Sequence, residues 1–235
     1  MPSQDNSQAR VVVSKDGPYL VTGSVPLAVS VIGVDAAGES RSWQEARALP
    51  PLAAYALCRC GGSRNKPFCD GTHLKRGFDG AETASHRPSA ERAKVFDGPV
   101  LWMTDDESLC AFARFCDPNG QVWTQVVRTQ DPEASDMFVR QVNDCPSGRL
   151  VAWDKSTGAA IEAALTPSIG LVEDPLKACS GPLALRGAIT VVSTEGVEYE
   201  ARNRVTLCRC GRSANKPFCD GSHVSATLDA AGPAA

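Results

Sequence analysis

Apolar residues come early in this chain and in short bursts. From Arg10 to Val34 it is rich in Val and Leu, with breaks at Gly17-Pro18 and Gly23, a pattern that predicts a series of short strands. Asp35 to Ser40 is polar and reads as a turn. Ser42 to Leu49 reads as one or two helical turns, and Ala53 to Leu57 as a strand. Val100–Met103 and Val122–Val127 are further strand candidates. Asp131-Pro132-Glu133 opens a helix through about Val142, because Met137, Phe138, Gln141 and Val142 fall at helical intervals. Pro167 to Pro182, with Glu173 and Asp174, reads as a linker, and residues 1–10 and 224–235 read as tails. The expected fold class is α+β, mainly β.

Beneath this pattern lies a repeat. Leu57-Cys58-Arg59-Cys60 returns as Leu207-Cys208-Arg209-Cys210, and C-x-C-x8-C-x3-H occurs twice, as Cys58, Cys60, Cys69, His73 and as Cys208, Cys210, Cys219, His223. Upstream, Gly17-Pro18 to Gly23 matches Gly181-Pro182 to Gly187, each followed by β-branched residues. The spacing from Gly-Pro to the cysteines makes the first copy longer by about 14 residues, placed around Gly33 to Leu49. The repeating unit is therefore a set of strands followed by a cysteine loop.

Cys58 and Cys60 fall on one side of an extended segment, with Arg59 on the other. Asn65-Lys66-Pro67 ends the loop. Asp70-Gly71 marks a turn, or opens a helix that would put Cys69 and His73 on one face. Three thiolates and an imidazole make a four-ligand set for a soft or borderline metal. A disulfide reading is weak, since Cys-x-Cys closes poorly. A structural zinc site and an iron-sulfur cluster are not separated by spacing alone.

Composition narrows the classes. The chain has 235 residues, ten cysteines, three histidines and a formal net charge of −3. That charge makes no electrostatic case for nucleic acid. Met1 to Arg10 lacks an apolar signal core, and the run Val25–Val34 is too short to span a bilayer. A cytoplasmic protein without membrane contact is the expectation, and its cysteines point to metal rather than disulfides. With two histidines used as ligands and His86 in a polar stretch, no nucleophile–base–acid set assembles. No phosphate-binding glycine pattern occurs either. An enzyme is not expected.

Both cysteine loops resemble the CDGSH iron-sulfur domain of the NEET family, whose pattern is C-x-C-x2-S/T-x3-P-x-C-D-G-S/T/A-H. The first copy matches through Cys58, Cys60, Ser63, Pro67, Cys69, Asp70, Gly71, Thr72 and His73. The second matches through Cys208, Cys210, Ser213, Pro217, Cys219, Asp220, Gly221, Ser222 and His223. The resemblance implies two [2Fe-2S] clusters. In each, the first two cysteines would hold the inner iron, and the third cysteine and the histidine the outer one. It also implies a β-rich cap formed by two copies with exchanged strands, here as an internal pseudo-dimer of a monomer, or else a homodimer. Redox proteins or apo-acceptor proteins would be the partners, in electron or cluster transfer. The histidine ligands make acid release of the clusters an expectation. A redox- or iron-sensing role and a zinc-stabilised scaffold remain as alternatives. Ser63, Ser213, Asp70 and Asp220 are candidates to support the ligands, the two aspartates equally as turn or cap residues; Lys66 and Lys216 read as solvated.

The middle differs in character. It carries Trp102, Trp123 and Trp153 with Cys110, Cys116 and a remote Cys145-Pro146-Ser147-Gly148. This set resembles divergent single-cluster ferredoxins, with Ala113 where the central cysteine would stand. It suits a third cluster, [3Fe-4S] or [4Fe-4S]. Phe112, Arg114 and Phe115, in place of small residues, weigh toward a remnant that binds nothing. Cys179 reads as an unpaired thiol. The expected domains are an N-terminal repeat (1–90, loop 57–76), a ferredoxin-like middle (91–165) and a C-terminal repeat (166–235, loop 207–224).

Overall fold

The computed structural model describes residues 8–225. Both terminal tails read from the sequence lie for the most part outside the described residues. The strands are β1 (Arg10–Val13), β2 (Tyr19–Thr22), β3 (Leu27–Val34), β4 (Ser40–Ala48), β5 (Ala54–Leu57), β6 (Lys94–Asp97), β7 (Leu101–Asp105), β8 (Leu150–Asp154), β9 (Ser168–Asp174), β10 (Cys179–Arg186), β11 (Thr190–Val192) and β12 (Arg204–Leu207). Three helices join them: α1 (Thr72–Arg76), α2 (Val122–Gln125) and α3 (Pro132–Asp144).

Two sheets share the repeats between them. One runs β11-β1-β2-β5 and the other β12-β10-β9-β3-β4. Strand β11 of the second repeat pairs in parallel with β1 of the first, and β3 of the first pairs in parallel with β9 of the second. Each repeat thus gives its third strand to the other's sheet. Their inner faces meet in one core, where Val11, Tyr19 and Val21 pack with Ile169, Leu171, Leu183, Leu185 and Leu207. Neither repeat closes this core by itself, since short β units need a second layer to bury their apolar face.

Three segments depart from the sequence reading. Residues 42–48 form part of strand β4, not helical turns, and Leu49 follows it. Good helix formers in that stretch are overridden because β4 pairs along the whole edge of β3. It is an exposed edge strand bearing Arg41, Glu45 and Arg47, as edges that avoid further pairing do. Residues 122–127 are helical rather than extended. Val122 and Val126 sit four residues apart and are both buried against the middle core, a helical spacing in β-branched residues. The stretch 167–182 is not a linker. It folds as β9 and the start of β10, and Ile169, Gly170, Leu171 and Val172 are buried in succession because both faces of β9 are covered, one by the inter-sheet core and the other by Ala113 and Phe115.

The middle segment is a three-stranded antiparallel sheet, β6-β7-β8, against which α3 packs. As the sequence suggests, Asp131 caps α3, accepting from the amides of Glu133 and Ala134, with Pro132 in the first turn. The far end of α3 is met by the C-terminal repeat. Arg204 on β12 donates to the carbonyls of Val142, Asn143 and Cys145 at 2.7–3.1 Å. A guanidinium thereby satisfies carbonyls that the helix leaves open, where the macrodipole is negative. Phe115 and Ala113 dock on the outer face of the second sheet beside Ile32, Val172 and Ala184.

Candidate metal sites

The two cysteine loops are built alike. Each leaves its sheet from a strand ending in Leu, and a bridge pairs that Leu with the later Phe, Leu57 with Phe68 and Leu207 with Phe218. Backbone bonds repeat across the copies: Cys58 N to Pro67 O at 2.8 Å and Cys208 N to Pro217 O at 2.9 Å; Cys69 N to Ala56 O and Cys219 N to Thr206 O, both at 2.9 Å. Ser63 and Ser213 donate to the carbonyls of Phe68 and Phe218 at 2.6 and 2.7 Å. Asp70 accepts from the amides of Arg64 and Thr72, and Asp220 from those of Ala214 and Ser222. These aspartates are turn locks. The amides hold the Asp70 carboxyl far below the usual carboxylate range.

Within each loop the ligand atoms gather in pairs. Cys58 Sγ lies 3.9 Å from Cys60 Sγ, and Cys208 Sγ 3.6 Å from Cys210 Sγ. Cys69 Sγ is 3.4 Å from His73 Nδ1, and Cys219 Sγ is 3.4 Å from His223 Nδ1. A tetrahedral ion with metal–sulfur bonds of about 2.3 Å sets its sulfur ligands roughly 3.8 Å apart, and a sulfur–nitrogen pair slightly closer. Each pair therefore has the spacing of two ligands on one ion. Among the described residues, no three His, Cys, Asp or Glu side chains converge where a single ion could sit. Helix α1 begins at Thr72, so Cys69 precedes it and only His73 rides on it. Cys58 and Cys60 do share a side, with Arg59 turned away into the protein.

Hydrogen bonding, burial and mutual repulsion keep these thiols from ionising together. The hydrogen bond between Cys208 and Cys210 splits their titration, drawing Cys208 down and pushing Cys210 up. Burial raises Cys219 as well. Two neighbouring thiolates are held together only when a positive ion joins them.

The arginine between each cysteine pair gave no sequence signal beyond its repetition, yet it organises the site. Arg59 is fully buried, donates to the Gly80 carbonyl at 2.6 Å, and stacks between the rings of Tyr19 and Phe78. Arg209 donates to the carbonyls of Gly181 and Val172 and pairs with Glu173 at 2.7 Å. The loops also touch each other. A Cβ on Gly61 would stand 2.8 Å from Cys210 O, and one on Gly211 2.9 Å from Cys60 O.

The copies differ in enclosure. Cys60, Cys69 and His73 are partly exposed, whereas Cys219 is 2% and His223 4% exposed. Burial, with Arg209 nearby, holds the His223 imidazole down to about 4. Thr83 and Ala84 strap over Ala214–Lys216 through three hydrogen bonds of 2.7–2.9 Å. On another side, Asn215 donates to Ser108 O at 2.8 Å, and Gly221 lies against Phe112 and the Cys110 carbonyl.

Cys110, Cys116 and Cys145 line one pocket with Ala113, Pro146 and Arg149. Phe112 and Arg114 adopt positive φ, 57° and 63°. Among the described residues, no hydrogen bond uses the amides of Ala111 to Cys116. A turn of alternating handedness with free amides is an anion-binding cradle of the kind found around iron-sulfur clusters. Arg114 is fixed by a forked pair to buried Asp174. Arg149 pairs with Asp105 and lies over Trp123. Burial pushes the Cys116 thiol up to about 12.

The family model described as iron-binding zinc finger CDGSH type matches residues 16–74 and 180–224. The model for a divergent 4Fe-4S mono-cluster matches residues 96–155 between them. The chain is a tandem CDGSH-type iron-sulfur protein. No curated relative and no solved structure matches it. In this tandem CDGSH chain Cys179 remains a free thiol on β10, and His86, exposed as the sequence suggests, stacks on Tyr199 with ring centroids 4.2 Å apart. No helix among the described residues is long and apolar enough to cross a membrane.

Proposed function

We propose that each CDGSH copy holds a [2Fe-2S] cluster through three cysteines and one histidine, and that the chain works in electron transfer or cluster transfer. The observation that carries this reading is the pairing of the ligand atoms. A mononuclear zinc site needs four ligands around one point. Two separate pairs, each spaced for one ion, suit a two-iron cluster whose bridging sulfides complete both coordination spheres. In this reading Cys58 and Cys60 take one iron and Cys69 and His73 the other; Cys208 and Cys210, and Cys219 and His223, do the same in the second copy. When bound, such a cluster supplies one-electron redox chemistry, with a higher potential for imidazole in place of thiolate.

The chain's own residues bind and orient. Ser63, Ser213, Asp70 and Asp220 hold the loops to their turns, and Arg59 and Arg209 anchor the segment between each cysteine pair. We read the exchange of β3 and β11, with the reciprocal Gly61 and Gly211 contacts, as an internal pseudo-dimer. Redox or apo-acceptor proteins are its partners, and it is not an enzyme.

The middle pocket supports a third cluster. Three cysteines line one cavity beside a cradle of free amides; Phe112 and Phe115 line the same cavity, Phe115 also packing into the sheet-side core and Phe112 half-exposed. The test is anaerobic purification with iron, sulfide and zinc counted per chain, and EPR of the reduced protein. About four irons correspond to the two CDGSH sites alone, and about seven or eight to a filled middle site. Zinc without sulfide sinks the reading.

A further inference from the structure

We infer that the N-terminal CDGSH site is the docking site, and that its partner is a small acidic protein seated on Arg64, Lys66, Lys75, Arg76 and the exposed Leu74; this rests on the transfer reading above. The two copies share a ligand pattern but not a surface. In the C-terminal copy the segment Ala214–Lys216 is strapped by Thr83 and Ala84 and met by Ser108, while Gly221 is covered by Phe112. In the N-terminal copy the matching segment, Arg64–Lys66, makes hydrogen bonds only within its own loop among the described residues: Arg64 N to Asp70 and Asn65 N to Ser63. The way to His73 is therefore open where the way to His223 is closed.

That open rim is the more basic of the two: it carries Arg64, Lys66, Lys75 and Arg76, where the second copy's loop carries Arg212 and Lys216. Arg64 stands where the second copy has Ala214, Leu74 where it has Val224, and Lys75 where it has Ser225. No ion pair among the described residues involves Arg64, Lys66, Lys75 or Arg76. The acids beside them are engaged: Asp70 with the amides of Arg64 and Thr72, Asp79 with the amide of Ala81. Leu74, next to His73 in sequence, is 80% exposed, the most exposed large hydrophobic residue described. An apolar anchor on the same loop and helix as the cations Arg64, Lys66 and Lys75, with Arg76 lying over Gly62 beside Cys60, on a chain of net charge −3, is a local feature of the kind that steers an acidic partner.

The experiment is calorimetric titration of the full, anaerobically purified chain with a small acidic [2Fe-2S] ferredoxin, at low and at physiological salt. Binding is expected to weaken with salt. The R64E/K75E variant is expected to bind on the order of tenfold more weakly, as is Leu74→Asp. Arg128→Glu, an exposed cation on the middle segment, is expected to bind as the wild type does. No binding, or equal weakening by R128E, overturns the docking surface. Iron and sulfide are counted on the same samples. A chain that lacks sulfide yet binds through these residues sinks the cluster reading while leaving the surface standing.

Discussion

Tyr19 starts on β2 of the first repeat and ends at the cysteine loop of the second. Its hydroxyl lies 2.8 Å from Cys208 O and 3.0 Å from Pro217 O, and the side chain is fully buried. The position that matches it in the second repeat is Leu183, so this link runs in one direction only. Tyr19→Phe leaves the buried Cys208 carbonyl without its donor, while Pro217 O keeps the Cys208 amide, and should cost about 1–3 kcal/mol in urea unfolding. The change should loosen the C-terminal loop and spare the N-terminal one. Site-resolved hydrogen exchange checks this: faster exchange at the Cys58 amide than at the Cys208 amide would refute it. Periodicity marks Tyr19 as an apolar strand residue and is silent on the hydroxyl. The partner is nearly two hundred residues away, and only the sheet exchange brings it near.

At the scale of elements, the loops meet where only glycine fits. Gly61 has φ 73° and Gly211 φ 79°, and a Cβ on either would press on backbone of the other loop below 3.0 Å. Backbone cannot move aside as a flexible side chain can. Gly61→Ala and Gly211→Ala should each destabilise by about 2 kcal/mol or more. Gly71→Ala has the same kind of φ but nothing within 4 Å, so it should cost only about 1 kcal/mol of backbone strain. Equal losses at Gly61 and Gly71 in urea unfolding would count against a close loop–loop contact.

Helix α3 supplies a prediction on pH. Asp144 is its last residue, where a negative charge opposes the macrodipole. Burial raises its carboxyl above the usual value, while Arg204 and Arg140 pull the other way. A carboxyl whose folded pKa is raised is penalised when ionised, so the penalty is present at neutral pH. It fades as pH falls through the raised pKa toward the unfolded value near 3.9. Asp144→Asn should therefore stabilise by about 0.5–1 kcal/mol at pH 7, discounted for its partial exposure. Thermal melts from pH 7 to pH 3.5 should show that gain shrinking to nothing; a gain that grows toward acid pH would contradict it.

The same elements show what can be read from a single sequence. The helix α3 was legible because cap, proline and apolar spacing agree locally. Strand β4 was not, since Gln44, Glu45 and Ala46 prefer helix and only pairing with β3 makes them extended. The stretch 167–182 hid two strands because Gly170, Gly181 and the acids Glu173 and Asp174 look like linker chemistry. Glu173 pairs with Arg209 and Asp174 with Arg114, partners that local pattern cannot supply. The candidate ligand residues stand out twice over in the sequence through the repeat. What stayed hidden was the unequal burial of the two copies, which depends on the Thr83–Ala84 strap and the middle segment closing over one of them.

For the whole molecule, that inequality sets the order of events. A homodimer of single repeats would present two equal sites, whereas here the insert between the repeats covers one and leaves the other open. His73 is reached by solvent, and His223 is enclosed by groups that include Arg209, Asp174, Asp220 and Arg114. Loss of bound iron to a chelator at mildly acidic pH should therefore proceed in two phases of similar amplitude among the CDGSH sites, the N-terminal site first. His73→Cys should slow the early phase and leave the late phase unchanged, because it replaces the accessible imidazole with a thiolate that binds more tightly. Disrupting the strap, with Thr83→Ala to remove the bond to Ala214 O, should hasten the late phase alone. The phases are followed by released iron and remaining sulfide, with the visible spectrum of each variant. A single phase in the wild type, or an early phase that responds to His223→Cys instead of His73→Cys, would show that the covering of the C-terminal site does not govern access to it.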